Sequence, residues 1–345
     1  MSTRLTKVFL VLFVVMGLLQ VPMSWALDKI RIGYMPILPS AHEFIAAEKG
    51  WYRELGVPVE EIRFSSGPPI VQAFAAGQVD VAYFGIGPAL VSVAKGIKAR
   101  VVASGVTEQL AVIAVNSFAD LYQKEPNRKA FLQFAKAKGR PLKIATFPPG
   151  STPNVMLRYW LDKLHVDPVK DVEILSMGAS GVRLAVLSQK VDATMILEPI
   201  ITIIRHSPIP YRIVVYGKQI LPGQPGSILF VRQSIIDERP DIVEKLVHMH
   251  LKATKILVEK RDEAAGIISR KIGPEALPVK VARESLDSKA LHWVANPHAI
   301  VDGTMTYNRF QVKLGTFKKG VDPKDLFDFR FYDRVIKAHP EYKGY

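Results

Sequence analysis

Cysteine is absent from all 345 residues. That excludes disulfides, a thiol nucleophile, and a lipoprotein anchor, which needs a cysteine at the cleavage point. Catalytic signatures are missing as well. There is no G-x-S-x-G elbow, no H-E-x-x-H pair and no G-x-x-x-x-G-K-[ST] phosphate loop. Beyond the first 26 residues no apolar run is long enough to cross a bilayer. Acidic residues are the scarcer charge: the formal net charge is +14, and +12 without Arg4 and Lys7. The basic residues are scattered and do not interleave with aromatics, so nucleic acid is not an expected partner.

What is present begins with a leader. "MSTRLTKVFLVLFVVMGLLQVPMSWA" carries Arg4 and Lys7, an apolar stretch from Val8 to Leu19, and small residues Ser24 and Ala26 at a cleavage position. This is the layout of a cleaved signal peptide over residues 1–26, and it predicts export. The remaining chain, 48% apolar overall, is long enough to build a core without disulfides.

Strand-like and helix-like segments then alternate, predicting α/β architecture with a parallel or mixed sheet. Strands are expected at 29–35, 59–64, 79–84, 99–106, 110–115, 142–147, 172–177, 191–197 and from 226 onward. Helices are expected at 41–55, with Ser40 and Glu43 as a capping box, at 153–164 and at 239–260. The charged segment 119–140 reads as helical. Two stretches resemble each other, "SSGPPIVQAFAAGQVDVAYFGIGP" and "SMGASGVRLAVLSQKVDATMILEP", each with a Val-Asp pair (Val79-Asp80, Val191-Asp192) before a strand. They predict two similar lobes.

Ligands of open α/β sheets sit outside the carboxyl ends of the strands. Small or polar residues open a helix there at Ser40 and His42, at Ser66 and Gly67, at Ser151, Thr152 and Asn154, and at Ala179. Helix starts present free N–H groups to an anion, although each is also a plain cap in its own right. Gly85 and Gly87 end the strand "VDVAYF", where a bound molecule can approach the backbone. Glu198 holds the matching place in the second stretch, to meet a ligand amine or to pair with a lysine or arginine across a lobe contact. His248 and His250 stand two apart on a helix and cannot chelate one metal together, so they are expected at surface or partly buried positions.

Four blocks carry a family likeness: "FSSGPPIVQAFAAGQVDVAYFGIGPAL", "KIATFPPGSTPNVMLRYWLDKL", "VDATMILEPIITII" and "LPGQPGSILFVRQSIIDERPDIVEKLVHMHLKA". In this order the chain, from about residue 29 to 336, resembles the nitrate/sulfonate/taurine type of ABC-transporter periplasmic substrate-binding proteins. The resemblance implies a two-lobe periplasmic binding protein type II fold with a cleft and two hinge crossovers. Lobe one would be residues 27–115 plus 217–345, and lobe two 116–216, with "LAVIAV" and Tyr211–Tyr216 as hinge strands. It implies capture of a small anionic or zwitterionic solute and delivery to a permease with its ATPase subunits, by a monomer, with no cofactor, no metal and no catalysis. It also implies Ser40, His42, Ser66, Gly67, Gly85, Gly87, Thr107, Ser151, Thr152, Asn154, Ala179 and Glu198 as ligand contacts. Two departures stand out, the long segment 119–140 and the titratable His42 and Glu43. A neutral or aromatic ligand such as a thiamine-precursor pyrimidine, a membrane sensor as the partner, and a cofactor-biosynthesis enzyme on the same fold remain the alternatives.

Overall fold

The computed structural model describes residues 29–345, so the expected leader lies outside the described residues. Among these, no helix is long and apolar enough to cross a membrane. The strands are β1 (Ile30–Tyr34), β2 (Val59–Arg63), β3 (Val81–Gly85), β4 (Ala99–Ser104), β5 (Val106–Thr107) and β6 (Leu110–Ala114). They continue with β7 (Leu142–Thr146), β8 (Val172–Ser176), β9 (Ala193–Leu197), β10 (Arg212–Tyr216), β11 (Ser227–Arg232) and β12 (His292–Trp293).

Two five-stranded sheets result, ordered β2-β1-β3-β11-β4 and β10-β6-β9-β7-β8. In each, three strands run parallel and the next is antiparallel: β11 beside β3, and β6 beside β9. β3, β6 and β9 are buried along their whole length. Helices cover both sheet faces, which is why these strands read as continuous apolar runs.

The chain passes to the second sheet between β4 and β6 and returns between β10 and β11. The two crossovers lie side by side: Gly226 N–H donates to Val106 O (2.9 Å) and Glu108 N–H to Gln224 O (2.8 Å). β6 is hydrogen-bonded into the second sheet, so the division expected after residue 115 falls one strand later than the sheets divide.

Local chemistry shifts some boundaries. The helix expected over 41–55 ends at Glu48, because Gly50 takes a left-handed conformation (φ 66°). A 3-10 turn, Trp51–Leu55, follows. The capping box is not made. Ser40 closes the short turn Leu38–Ser40 and makes no side-chain cap, while Glu43 is fully buried. The charged segment folds as two helices, Phe118–Lys124 and Arg128–Lys138. They bury Phe118 against Phe131 (ring centroids 4.8 Å apart), and Phe131 against Trp160 (5.6 Å).

The Val-Asp pairs have matching jobs. Asp80 accepts from the backbone N–H of Arg31 (3.0 Å) and from its guanidinium (2.9 Å). Asp192 accepts from Lys143 N–H (2.8 Å) and from the Arg140 guanidinium (2.5 Å). Each carboxylate ties the strand after it to the middle of the three parallel strands of its own sheet, β1 or β7, and that shared task accounts for the repeat.

Candidate functional site

The carboxyl ends of the two sheets face each other across a cleft. At its centre is a cavity of about 20 Å³, room for little more than one water. Lobe one contributes Met35, Ser40, Gly67, Phe84, Gly85 and Ser227, and lobe two contributes Phe147, Ser151, Thr152 and Leu197. Gln109, on the first crossover, also lines it. Among the described residues no charged side chain lines it; the walls are mostly apolar, with hydroxyls and one amide among them.

Helix starts converge here. Ser151 caps the helix Thr152–Lys163 by accepting from Asn154 N–H (3.4 Å). The helices Gly67–Ala75 and Ile86–Ala94 begin at Gly67 and just after Gly85, and Ser40 precedes the helix Ala41–Glu48. Each turns the positive end of a helix dipole toward one small volume, although the Ile86 N–H is already bonded to Gly226 O (2.9 Å) and the Asn154 N–H to Ser151.

The room beside Gly85 and Gly87 is taken by other parts of the chain. A Cβ on Gly85 would stand 2.3 Å from Thr152 Oγ1, and one on Gly87 would stand 2.6 Å from the Tyr307 hydroxyl and 3.1 Å from Gly150 O. Gly87 N–H donates to Thr152 Oγ1 across the cleft (3.3 Å), and Leu38 N–H donates to Glu198 O (3.2 Å). These glycines let the lobes meet.

Ser40, Gly67, Gly85, Ser151 and Thr152 therefore share the cavity wall. Gly87 stands at the seam behind it, and buried Ser66 is the N-cap position preceding Gly67. Other candidates are engaged elsewhere. Asn154 donates to Phe147 O (3.1 Å) and accepts from Arg158 (3.2 Å), locking its own helix. Thr107 pairs with β12 and turns toward His292 (3.5 Å). Ala179 opens a separate outer groove. Glu198, in a cis bond to Pro199, accepts from the backbone N–H and hydroxyl of Thr202 (3.0 Å each). Its carboxyl is fully buried, which pushes its pKa up to about 7 against those hydrogen bonds. No lysine or arginine bonds to it among the described residues.

His42 faces into lobe one. Its Nε2 lies 3.0 Å from Thr254 Oγ1, and its ring stacks on His250 at 3.9 Å. Because the Thr254 hydroxyl donates to His250 O (2.9 Å), His42 must donate through Nε2. His250 likewise donates Nε2–H to Ser104 O (2.5 Å), leaving both Nδ1 atoms bare and unpaired. Burial lowers both pKa values, that of His250 to about 4. The expectation of a surface or partly buried position is corrected for His250, which is fully buried on the inner face of the helix Pro240–Glu259, whereas His248 is half-buried against His339.

Gln109 and Ser227 are wall residues that sequence reasoning missed. Gln109 Oε1 and Ser227 Oγ are buried and without a partner. Their position beside the two crossovers was the available signal. Phe147 was hidden at the end of a run that read as core. Among the described residues no group of three or more histidines and acids is placed to hold a metal.

Residues 26–270 match the NMT1-like family. A Bacillus subtilis (strain 168) protein, provisionally named aliphatic sulfonates-binding, is 27% identical over 321 residues, covering 91% of this chain and 90% of its own. The bicarbonate-binding protein CmpA of Synechococcus elongatus is 26% identical over 255 residues, covering 70% of this chain and 56% of its own. The crystal structure of the periplasmic nitrate-binding protein NrtA from Synechocystis PCC 6803 covers 90% of this chain and 89% of its own, with a TM-score of 0.74 and 17% identity. At that identity the likeness is one of fold: the two-lobed α/β architecture is that of periplasmic binding proteins.

Proposed function

The chain belongs to the NMT1-like family, and from that premise we propose that it is the exported solute receptor of an ABC importer, selective for a small organic anion or zwitterion of the aliphatic sulfonate kind. Its lobes close on the solute, and the closed form, a monomer, docks on the permease. One observation carries the reading: helix starts from both lobes converge on a cavity with apolar walls and no charged side chain. Backbone N–H groups and the hydroxyls of Ser40, Ser151 and Thr152 suit the oxygens of a monoanion. Met35, Phe84, Phe147 and Leu197 suit a carbon body, which nitrate and bicarbonate lack. A sulfonate that bridges both lobes stabilises the closed population by its differential affinity for it.

Thermal melting of the purified protein with taurine, ethanesulfonate, nitrate, bicarbonate and a thiamine-type pyrimidine tests this. A ligand bound only by the folded state raises the melting temperature. A rise with a sulfonate, exceeding that with nitrate, is expected. A rise with the pyrimidine alone would replace this reading with that of a receptor for a neutral aromatic, which Phe84 and Phe147 favour.

A further inference from the structure

Ile37 lines both the cavity and, on its other side, an outer groove with one part of about 80 Å³ and another of about 420 Å³. Arg63, at the end of β2 in lobe one, and Arg183, on the lobe-two helix Ala179–Leu187, both line it. Among the described residues no carboxylate does. Glu61, on the same side of β2 as Arg63, is paired to Lys271 (2.5 Å). Arg183 spends one N–H on Ala276 O (3.1 Å), across the cleft, and keeps its other donors. Ala179 and Ser180, at the start of its helix, line the same space. Two guanidinium groups, one from each lobe, thus border a groove with no acid to neutralise them.

Resting on the receptor reading above, we propose that this groove is a second anion site and that the solute is a dianion: an organic sulfonate with a second sulfonate or a carboxylate at its far end. The first anionic group sits among the helix starts of the inner cavity, the carbon body passes Ile37, and the outer group is held between Arg63 and Arg183. Guanidinium binds planar or tetrahedral oxyanions bidentately. Since the two arginines belong to different lobes, the outer group meets both only when the lobes are closed. Its binding energy therefore goes into closure.

Calorimetric titration of the full protein with ethanesulfonate and with propane-1,3-disulfonate is the test, repeated on Arg63→Gln and Arg183→Gln. The disulfonate is expected to bind at least tenfold more tightly, with a steeper salt dependence. Each variant should reduce the disulfonate toward the ethanesulfonate affinity while leaving ethanesulfonate unchanged. Unaltered melting temperatures verify that the variants fold. Equal affinity for the two probes, or equal weakening of both by the variants, overturns the groove and leaves the receptor reading standing. If neither probe binds the wild type, the anion reading and the groove fall together.

Discussion

The two lobes solve the same geometric problem with the same strand order and opposite chemistry. Read from the outer parallel strand, β2-β1-β3-β11-β4 matches β8-β7-β9-β6-β10, and the antiparallel fourth strand is in each case the one that follows a crossover. Asp80 and Asp192 make equivalent clamps. The covering layers differ. Lobe two is packed with the rings of Phe118, Phe131, Phe134 and Trp160. Lobe one buries His42, Glu43, Tyr52, Tyr83 and His250, with polar atoms that have no partner. The repeated part sets where loops meet the cleft. The unrepeated layer sets how each lobe responds to pH, because only buried ionisable groups shift far from their ordinary values.

The largest expected effect separates the two clamps. Asp80→Ala removes the carboxylate from Arg31 and also from the half-buried Arg232 (3.6 Å). A loss of about 3 to 5 kcal/mol follows when such a buried group is deleted. Asp192→Ala should cost about half as much, because Arg140 lies near solvent and its pairing is screened. Denaturant unfolding reads both, and equal losses break the comparison.

Acid should act on the two lobes in opposite directions at His250 and Glu198. The His250 imidazole titrates near 4 when folded, against about 6.5 when unfolded. A base lowered in this way contributes its stability above 6.5 and loses it as pH falls toward 4, a change of roughly 3 kcal/mol. Glu198 in lobe two works in the other direction. Raised to about 7, its contribution is present below its unfolded value and is lost as pH rises through 7. Taking the pH from 7 to 5 should therefore cost less melting temperature in His250→Gln than in the wild type, and more in Glu198→Gln. An unchanged slope in both variants rejects this assignment.

The smallest effect concerns the seam. Gly85→Ala sets a Cβ 2.3 Å from Thr152 Oγ1, whereas Gly178→Ala meets Ser65 Cβ at 3.2 Å, which a small shift relieves. Affinity for a bound sulfonate should drop about tenfold or more in the first, a cost above about 1.4 kcal/mol, and much less in the second. Adding Thr152→Ala should recover part of the Gly85→Ala loss. No recovery would mean that closure is blocked elsewhere.

Much of this was legible in the chain. Apolar runs bounded by glycine and proline marked the strands, as at Val81–Gly85, and the Val-Asp repeat announced two lobes. Helix starts at Ser40, Gly67 and Ser151 were readable because capping and turn chemistry is local. The fate of His42 was not. Its partner Thr254 lies 212 residues away, and the side of a helix that faces the cleft depends on which layer packs on the other. Glu198 was placed correctly in the chain order of the cleft loops, yet its carboxylate turns back to Thr202 within its own lobe.

By itself, the sequence determined the alternation of elements, the absence of disulfides and the loops available to a ligand, since these follow from composition, periodicity and turn residues. Tertiary structure decided which of those loops share a cavity, that Gly85 and Gly87 make room for the opposite lobe, and that Arg63 and Arg183 come to border one groove. Those are contacts between residues far apart in the chain, and they exist only once both sheets have been packed and brought face to face.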